Sequence, residues 1–197
     1  DRTLEFFLKP RGTEITRGAL FWTNGDPAEV KRLHKGDESQ ADVAQDDLLA
    51  LIINEVVRAV QAERGAIYLI DGKRRELVAR VLSEDSAGLS EIRLKMGQGL
   101  AGHVAVTGEA LNVPDAYADP RFNPEVDRQT GRKTHTILTM PMCNPHGTIV
   151  GVVQVLNKKS GEQFDEQDQA TLGALAAQAA AMVVNARLYQ EVEQEKN

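Results

Sequence analysis

The periodicities along this chain predict an α+β fold, an antiparallel sheet with helices packed against it. Three observations lead there. The stretch "QDDLLALIINEVVRAVQAERG" has helical apolar spacing, the runs between residues 65 and 157 are short, alternating and joined by turn signals, and one helical pattern extends from Asp165 to Glu195.

In the first helix Leu49, Ile52, Ile53, Val56 and Val60 share a face, Asp46 and Asp47 precede them as caps, and Gly65 follows as the stop. "GAIYLID" and "RELVARVLS", joined by "DGKR", predict a hairpin with "SEIRLKM" as the third strand. "GQGLAGHVAVTGEA" is a Gly-rich turn into a short helix, and "LNV" follows as a strand. The loop "PDAYADPRFNPEVDRQTGRKT" exceeds the roughly 12 to 15 residues that structureless connections reach, and its aromatic and proline content predicts an ordered lid. "THTILTMPM" and "HGTIVGVVQVLN" form the last hairpin.

In the closing helix, from about 165, Leu172, Leu175, Ala179, Met182, Ala186 and Tyr189 alternate at three- and four-residue spacing. Either this face covers the sheet or it is the seam of a helical bundle. Because the pattern continues past any sheet edge, a parallel homodimer through the terminal helices is expected. Residues 1–41 stand apart, with Phe6, Phe7, Phe21 and Trp22 set among turn signals. They read as an N-terminal extension or the remnant of a preceding domain, and residues 42–197 as one domain.

A chain of 197 residues at 42% hydrophobic content buries a genuine core. A net charge of −6 without a Lys/Arg run removes the salt-sensitive attraction behind most nucleic-acid binding and disfavours anionic membranes. No apolar stretch is expected to approach the roughly 18 residues that span a bilayer, and no signal-peptide architecture opens the chain, so a cytoplasmic protein is expected. A first residue Asp rather than Met suggests a piece of a longer protein. The lone Cys143 permits no internal disulfide and reads as a small core thiol; no metal site and no cofactor are expected.

Gly97, Gly99 and Gly102 spell GxGxxG, yet the surrounding strands are hairpin-linked, whereas a dinucleotide fold requires parallel, doubly buried strands. The local physics survives: a Gly-rich turn feeding a helix leaves the backbone amides of Leu100 and Ala101 for an anion or for water. Gln154 shares a strand face with Val150, Val152 and Leu156, so a buried position would require a hydrogen-bond partner in protein or ligand. Asp127, Thr130 and Thr134 place a carboxylate and two hydroxyls in the lid. His34, His103, His135 and His146 have no carboxylate spacing for a relay, and no enzymatic motif is visible.

Taken together, "GQGLAGHVAVTGEALNVPDAYADPRFNPEVDRQTGRKTHTILTMPM" and "LNKKSGEQFDEQDQ" resemble the GAF domain, in its cyclic-nucleotide-binding branch of phosphodiesterases and cyanobacterial adenylyl cyclases. The resemblance spans about residues 47 to 195. Asn157, Lys158, Phe164 and Asp168 match that branch's N-K-x(n)-F-x3-D-E signature, and Gln169 replaces its final Glu. It implies a sheet with terminal helices on one face and a ligand pocket, short helix and lid on the other. Lys158 and Asp168 would form an ion pair behind the pocket. The Leu100 and Ala101 amides would hold a cyclic phosphate, and Asp127, Thr130 and Thr134 would contact phosphate, ribose or base. Gln154 would lie near the ribose. Asn123 occupies a position where relatives stack an aromatic ring. Ser83 falls where a cGMP-selective relative has Asp and Ala66 where it has Ser, with Glu84 adjacent; the ligand expected is thus cAMP rather than cGMP.

The resemblance therefore implies a regulatory sensor, not an enzyme, that relays cyclic-nucleotide occupancy to an output domain. The alternative is a ligand-free dimerisation and signal-relay module. Methionine sulfoxide reduction, known in another branch, uses several cysteines where this chain has one.

Overall fold

The computed structural model describes residues 40–82 and 89–194. Ser83, Glu84 and the aromatic-bearing segment before residue 40 lie outside the described residues. The chain divides into two compact units, 1–48 and 49–197, and of the first only Gln40–Leu48 is described, as helix.

The elements run α1 (Gln40–Ala59), β1 (Ala62–Asp71), β2 (Glu76–Leu82), β3 (Leu89–Lys95), α2 (Gly99–Thr107), β4 (Leu111–Val113), a 3-10 turn (Ala116–Ala118), α3 (Glu125–Thr130), β5 (Ile137–Cys143), β6 (Ile149–Lys158) and α4 (Glu166–Gln194). The six strands form one sheet in the order β3-β2-β1-β6-β5-β4, antiparallel throughout. Each hairpin keeps sequence neighbours together, and only β1 against β6 joins distant segments.

Register assigns the faces, because residues directly opposite in an antiparallel pair point the same way. Ala66, Gln154 and Thr139 lie in one row across β1, β6 and β5. Their face meets α2, where Leu77 and Val152 pack with Ala101, Val104 and Ala105. The opposite face carries Val153, Val155, Leu138 and Met140, and α4 lies across β5 and β6 there. The α+β architecture follows: a sheet with terminal helices on one face and a short helix and lid on the other.

Leu49, Ile52, Ile53, Val56 and Val60 are all buried. The helix boundaries differ from the sequence reading at both ends. Asp46 lies within α1 rather than before it, and the stop is Gln61, in the left-handed region at φ 53°, not Gly65. Gly65 is inside β1 instead. A Cβ there would sit 2.6 Å from Val57 Cγ2 and 3.2 Å from Ile53 Cγ2, so the missing side chain lets helix and strand approach.

Leu172, Ala176, Ala179, Ala180 and Val183 are the buried line of α4, while Met182, Leu188 and Val192 are exposed. The expected seam thus divides: Leu172 and Ala179 cover the sheet, and Met182 does not. Glu166–Leu188 is also long and apolar enough, at mean hydropathy 1.2, to meet the length and composition of a membrane span, contrary to the expectation that no stretch comes near it. Alanine-rich composition produces that value, and the helix rests one side on the sheet.

Candidate functional site

The lid spans 114–133 and holds two short helical pieces that its composition conceals. Asp115 caps the 3-10 turn by accepting from Tyr117 N at 3.1 Å. Asn123 Oδ1 accepts from Glu125 N at 3.0 Å and starts α3. Asn123 is therefore an exposed turn-former, spending its side chain on its own backbone.

Between α3 and the sheet runs a four-residue chain of hydrogen bonds. Asp127 is 6% exposed, and its carboxylate accepts from Thr134 N (2.6 Å), the Thr134 hydroxyl (2.7 Å) and the Tyr117 hydroxyl (3.0 Å). The Thr134 hydroxyl also accepts from Arg64 Nη2 at 3.1 Å, which ties the lid to β1. A carboxylate with three donors is well satisfied. Asp127 and Thr134, expected from the sequence to offer their polar groups to a ligand, are bonded to each other and latch the lid. Arg64 and Tyr117 complete the latch and went unnoticed in the sequence, because nothing local connects positions 64, 117, 127 and 134. Thr130 is placed by its backbone as the last residue of α3.

Gln154, 7% exposed, lies on the sheet face under α2 and finds its partners within the protein. Its Oε1 accepts from the Tyr68 hydroxyl and its Nε2 donates to Thr139 Oγ1, both at 3.1 Å. Burial of the phenol pushes the Tyr68 pKa up to about 12, so it remains a neutral donor.

At the amino end of α2, Gly97 and Gly99 adopt positive φ of 83° and 70°. A Cβ on Gly102 would meet Gly97 C at 2.9 Å, so backbone crosses backbone here and the GxGxxG spacing has a steric origin. Gln98 holds the N-cap position without a side-chain cap; its Oε1 accepts instead from Lys95 N at 3.2 Å. The first-turn amides of Leu100 and Ala101 are left without a side-chain partner from the cap. Their side chains face inward: Leu100 packs with Val113, Ala116 and Ile137, flanked by Leu111, Phe122 and Leu156. This apolar seam closes the ground beneath the lid.

Behind the lid the "NK…F…D" residues form a connected unit. Asn157, at φ 57°, accepts on Oδ1 from His135 N (2.7 Å) and Thr136 N (3.3 Å), and donates through Nδ2 to Glu63 Oε2 and Lys133 O, both at 2.9 Å. Lys158 Nζ lies 2.6 Å from Asp168 Oδ2 and 3.8 Å from Asp165, and the hydrogen bond to Asp168 raises the Lys158 pKa. Asp165 and Asp168 cap α4 reciprocally, each accepting from the other's backbone N–H at 2.8 to 2.9 Å. Phe164 is buried, and its carbonyl accepts from Asn112 Nδ2 at 2.7 Å. Gln169 is half-buried in the same turn of α4.

Two clefts border the lid. One, of about 420 Å³, is lined by Glu63, Arg64, Arg132, Lys133 and Lys159; the other, of about 300 Å³, runs along Leu111–Asp115 and Ala118–Arg121. Cys143 is free and half-buried at the bulged end of β5, so it is not a core thiol. Among the described residues, no three His, Cys, Asp or Glu side chains gather where a metal could bind.

A model of the GAF domain matches residues 45–183, well over half of the chain. The chain belongs to the GAF domain family. Among sequence relatives of this GAF domain, a probable 3′,5′-cyclic phosphodiesterase of Caenorhabditis elegans is 36% identical over 160 residues, covering 76% of this chain and 22% of that protein. The dual 3′,5′-cyclic-AMP and -GMP phosphodiesterase 11 of Drosophila melanogaster is 36% identical over 154 residues, covering 71% of this chain and 11% of that protein. The GAF domain thus spans under a quarter of the length of these enzymes. Among solved structures, the GAF domain of a phosphoenolpyruvate-protein phosphotransferase from Coxiella burnetii superposes with a TM-score of 0.63 at 23% identity, covering 83% of this chain and 93% of that one. That likeness speaks to the fold alone.

Proposed function

We propose that this GAF domain is a regulatory sensor that binds a cyclic nucleotide between the sheet and the lid and passes its occupancy through the terminal helices of a homodimer. The observation that carries the reading is the uncapped first turn of α2, lying under a lid that the side-chain latch fastens to β1. Helix amides without a cap favour an anion, and a cyclic phosphodiester carries one charge. Similarity to cyclic phosphodiesterases over this same segment supports it. Entry requires the Arg64–Thr134–Asp127–Tyr117 latch to loosen and Leu100 and Phe122 to part. Asp127 and Thr134 would then exchange lid contacts for ribose, base or phosphate, joined by Thr130 at the end of α3, with Gln154 beneath the ribose. A ligand that binds one latch arrangement better than the other shifts the lid, as a sensor requires.

We favour cAMP over cGMP, on Ser83 in place of a carboxylate that guanine N–H donors would need. The domain has no catalytic role in this reading, and we place it in the cytoplasm. Titration of the full chain with each nucleotide tests it. At a ligand concentration of about 100 times Kd, stabilisation of about 2.7 kcal/mol raises the melting temperature by roughly 5 to 10 °C. A melting temperature unmoved by millimolar amounts of either nucleotide rejects the reading.

A second reading has its own support. Gln154 is satisfied by Tyr68 and Thr139, Asn123 is spent on Glu125 N, and Leu100 and Ile137 close the seam. In a ligand-free relay module all three remain so, and the dimer forms regardless of nucleotide.

A further inference from the structure

The first cleft bordering the lid is unlike the rest of this acidic protein. Four cationic residues, Arg64, Arg132, Lys133 and Lys159, line it with one carboxylate, Glu63, although the chain as a whole carries −6. Glu63 Oε2 is already engaged by Asn157 Nδ2 at 2.9 Å. Lys133 Nζ also stands 5.6 Å from the Tyr117 ring centroid, and the local excess of positive charge over carboxylate makes the cleft attractive to anions. Arg64 adds a second observation: its Nη2 bonds Thr134, but its Nε–H is buried and meets no acceptor. A buried guanidinium N–H without a partner costs more than an ordinary unmade bond, so a small movement that brings it to an acceptor in the cleft is favoured.

The cleft's position gives occupancy a consequence. Arg64 belongs to β1 and Lys159 follows β6, with Lys159 N fixed to Gln61 O at 2.7 Å. Arg132 and Lys133 belong to the chain just after α3, beyond Gly131 at φ 68°. An anion in the cleft would fasten the returning end of the lid to the end of the central strand pair, β1 and β6.

We propose that this cleft is a second anion site, separate from the amides of α2, that takes a small phosphate-bearing anion with at least two phosphoryl groups. A guanidinium fork and ammonium groups together suit several phosphate oxygens, and one phosphate would engage only part of the lining. At about 420 Å³ the cleft is at the small end of ligand sites. Binding there is independent of the cyclic-nucleotide reading; only its coupling to the latch rests on that reading. Where both sites bind, the coupling is reciprocal, so each ligand changes the other's affinity by the same factor.

Inorganic pyrophosphate is the probe, titrated into the full chain without nucleotide at constant ionic strength, with calorimetry and the side-chain Nε–H resonance of Arg64 as readouts. Saturable binding with movement of that resonance is expected. The variant carrying Lys133→Gln and Lys159→Gln, both exposed positions, should fold normally by circular dichroism and bind about tenfold more weakly or worse. Absence of saturable heat overturns the proposal, as does undiminished affinity in the double variant. Nucleotide binding is measured separately, so a chain that takes pyrophosphate but no cyclic nucleotide rejects the sensor and leaves this site standing.

Discussion

Asn157 illustrates how one side chain joins segments remote in sequence. Its amide reaches two backbone N–H groups just before β5, the Lys133 carbonyl at the end of the lid, and Glu63 in β1. Its backbone sits in the left-handed region, which Asn tolerates better than most residues. Asn157→Ala removes buried hydrogen bonds at roughly 1 kcal/mol each and adds backbone strain, so a loss of about 3 kcal/mol is expected. Thermal unfolding should register this as a drop of about 6 to 12 °C. Asn157→Gly relieves the strain alone and should recover only a minor part. If it recovered nearly everything, the hydrogen bonds would be unimportant and the backbone angle decisive.

Among the elements, α4 carries two jobs on different sides. Its buried line of small residues, Ala176, Ala179 and Ala180 between Leu172 and Val183, lets the helix lie close on β5 and β6. Its carboxyl-terminal half exposes Leu188 and Val192, 53% and 48% accessible, one turn apart and available to a second helix. The homodimer proposed above places them in its interface. Leu188→Glu with Val192→Glu should therefore halve the mass seen by sedimentation while leaving circular dichroism unchanged. A wild-type chain that sediments as a monomer at high concentration removes the bundle from the proposal.

For the whole molecule, titrating groups set the pH range of stability. Tyr68, raised to about 12 by burial, contributes fully below its unfolded value of 10.0 and loses that contribution as pH climbs toward 12. Lys158, raised by its bond to Asp168, loses its own contribution as pH passes 10.5 and above. On the acid side Asp119, held low chiefly by the Arg121 guanidinium, and Asp165, held low by the Asp168 N–H, contribute above 3.8 and lose it as pH falls further. A plateau of melting temperature between these limits is expected from circular dichroism. Tyr68→Phe should flatten the alkaline fall between pH 10 and 12, and an unchanged slope there would mean the phenol is not the group responsible.

Local physics was enough for much of this. Apolar spacing marked Leu49 to Val60 as a helix face, alternation and turn residues marked the hairpins, and glycine spacing marked the sharp entry into α2, since each depends on neighbours along the chain. Segments such as α3 escaped because a six-residue helix lacks a periodic signature. The stop at Gln61 escaped too, because Gly65 was needed for close helix–strand contact rather than for the cap. The latch of Arg64, Tyr117, Asp127 and Thr134, the pairing of Gln154 with Tyr68 and Thr139, and the basic cleft were decided by tertiary structure alone. Hydrogen bonds and charge clusters depend on distance in space, and only β1 lying beside β6, with the lid folded back over their end, makes those distances short.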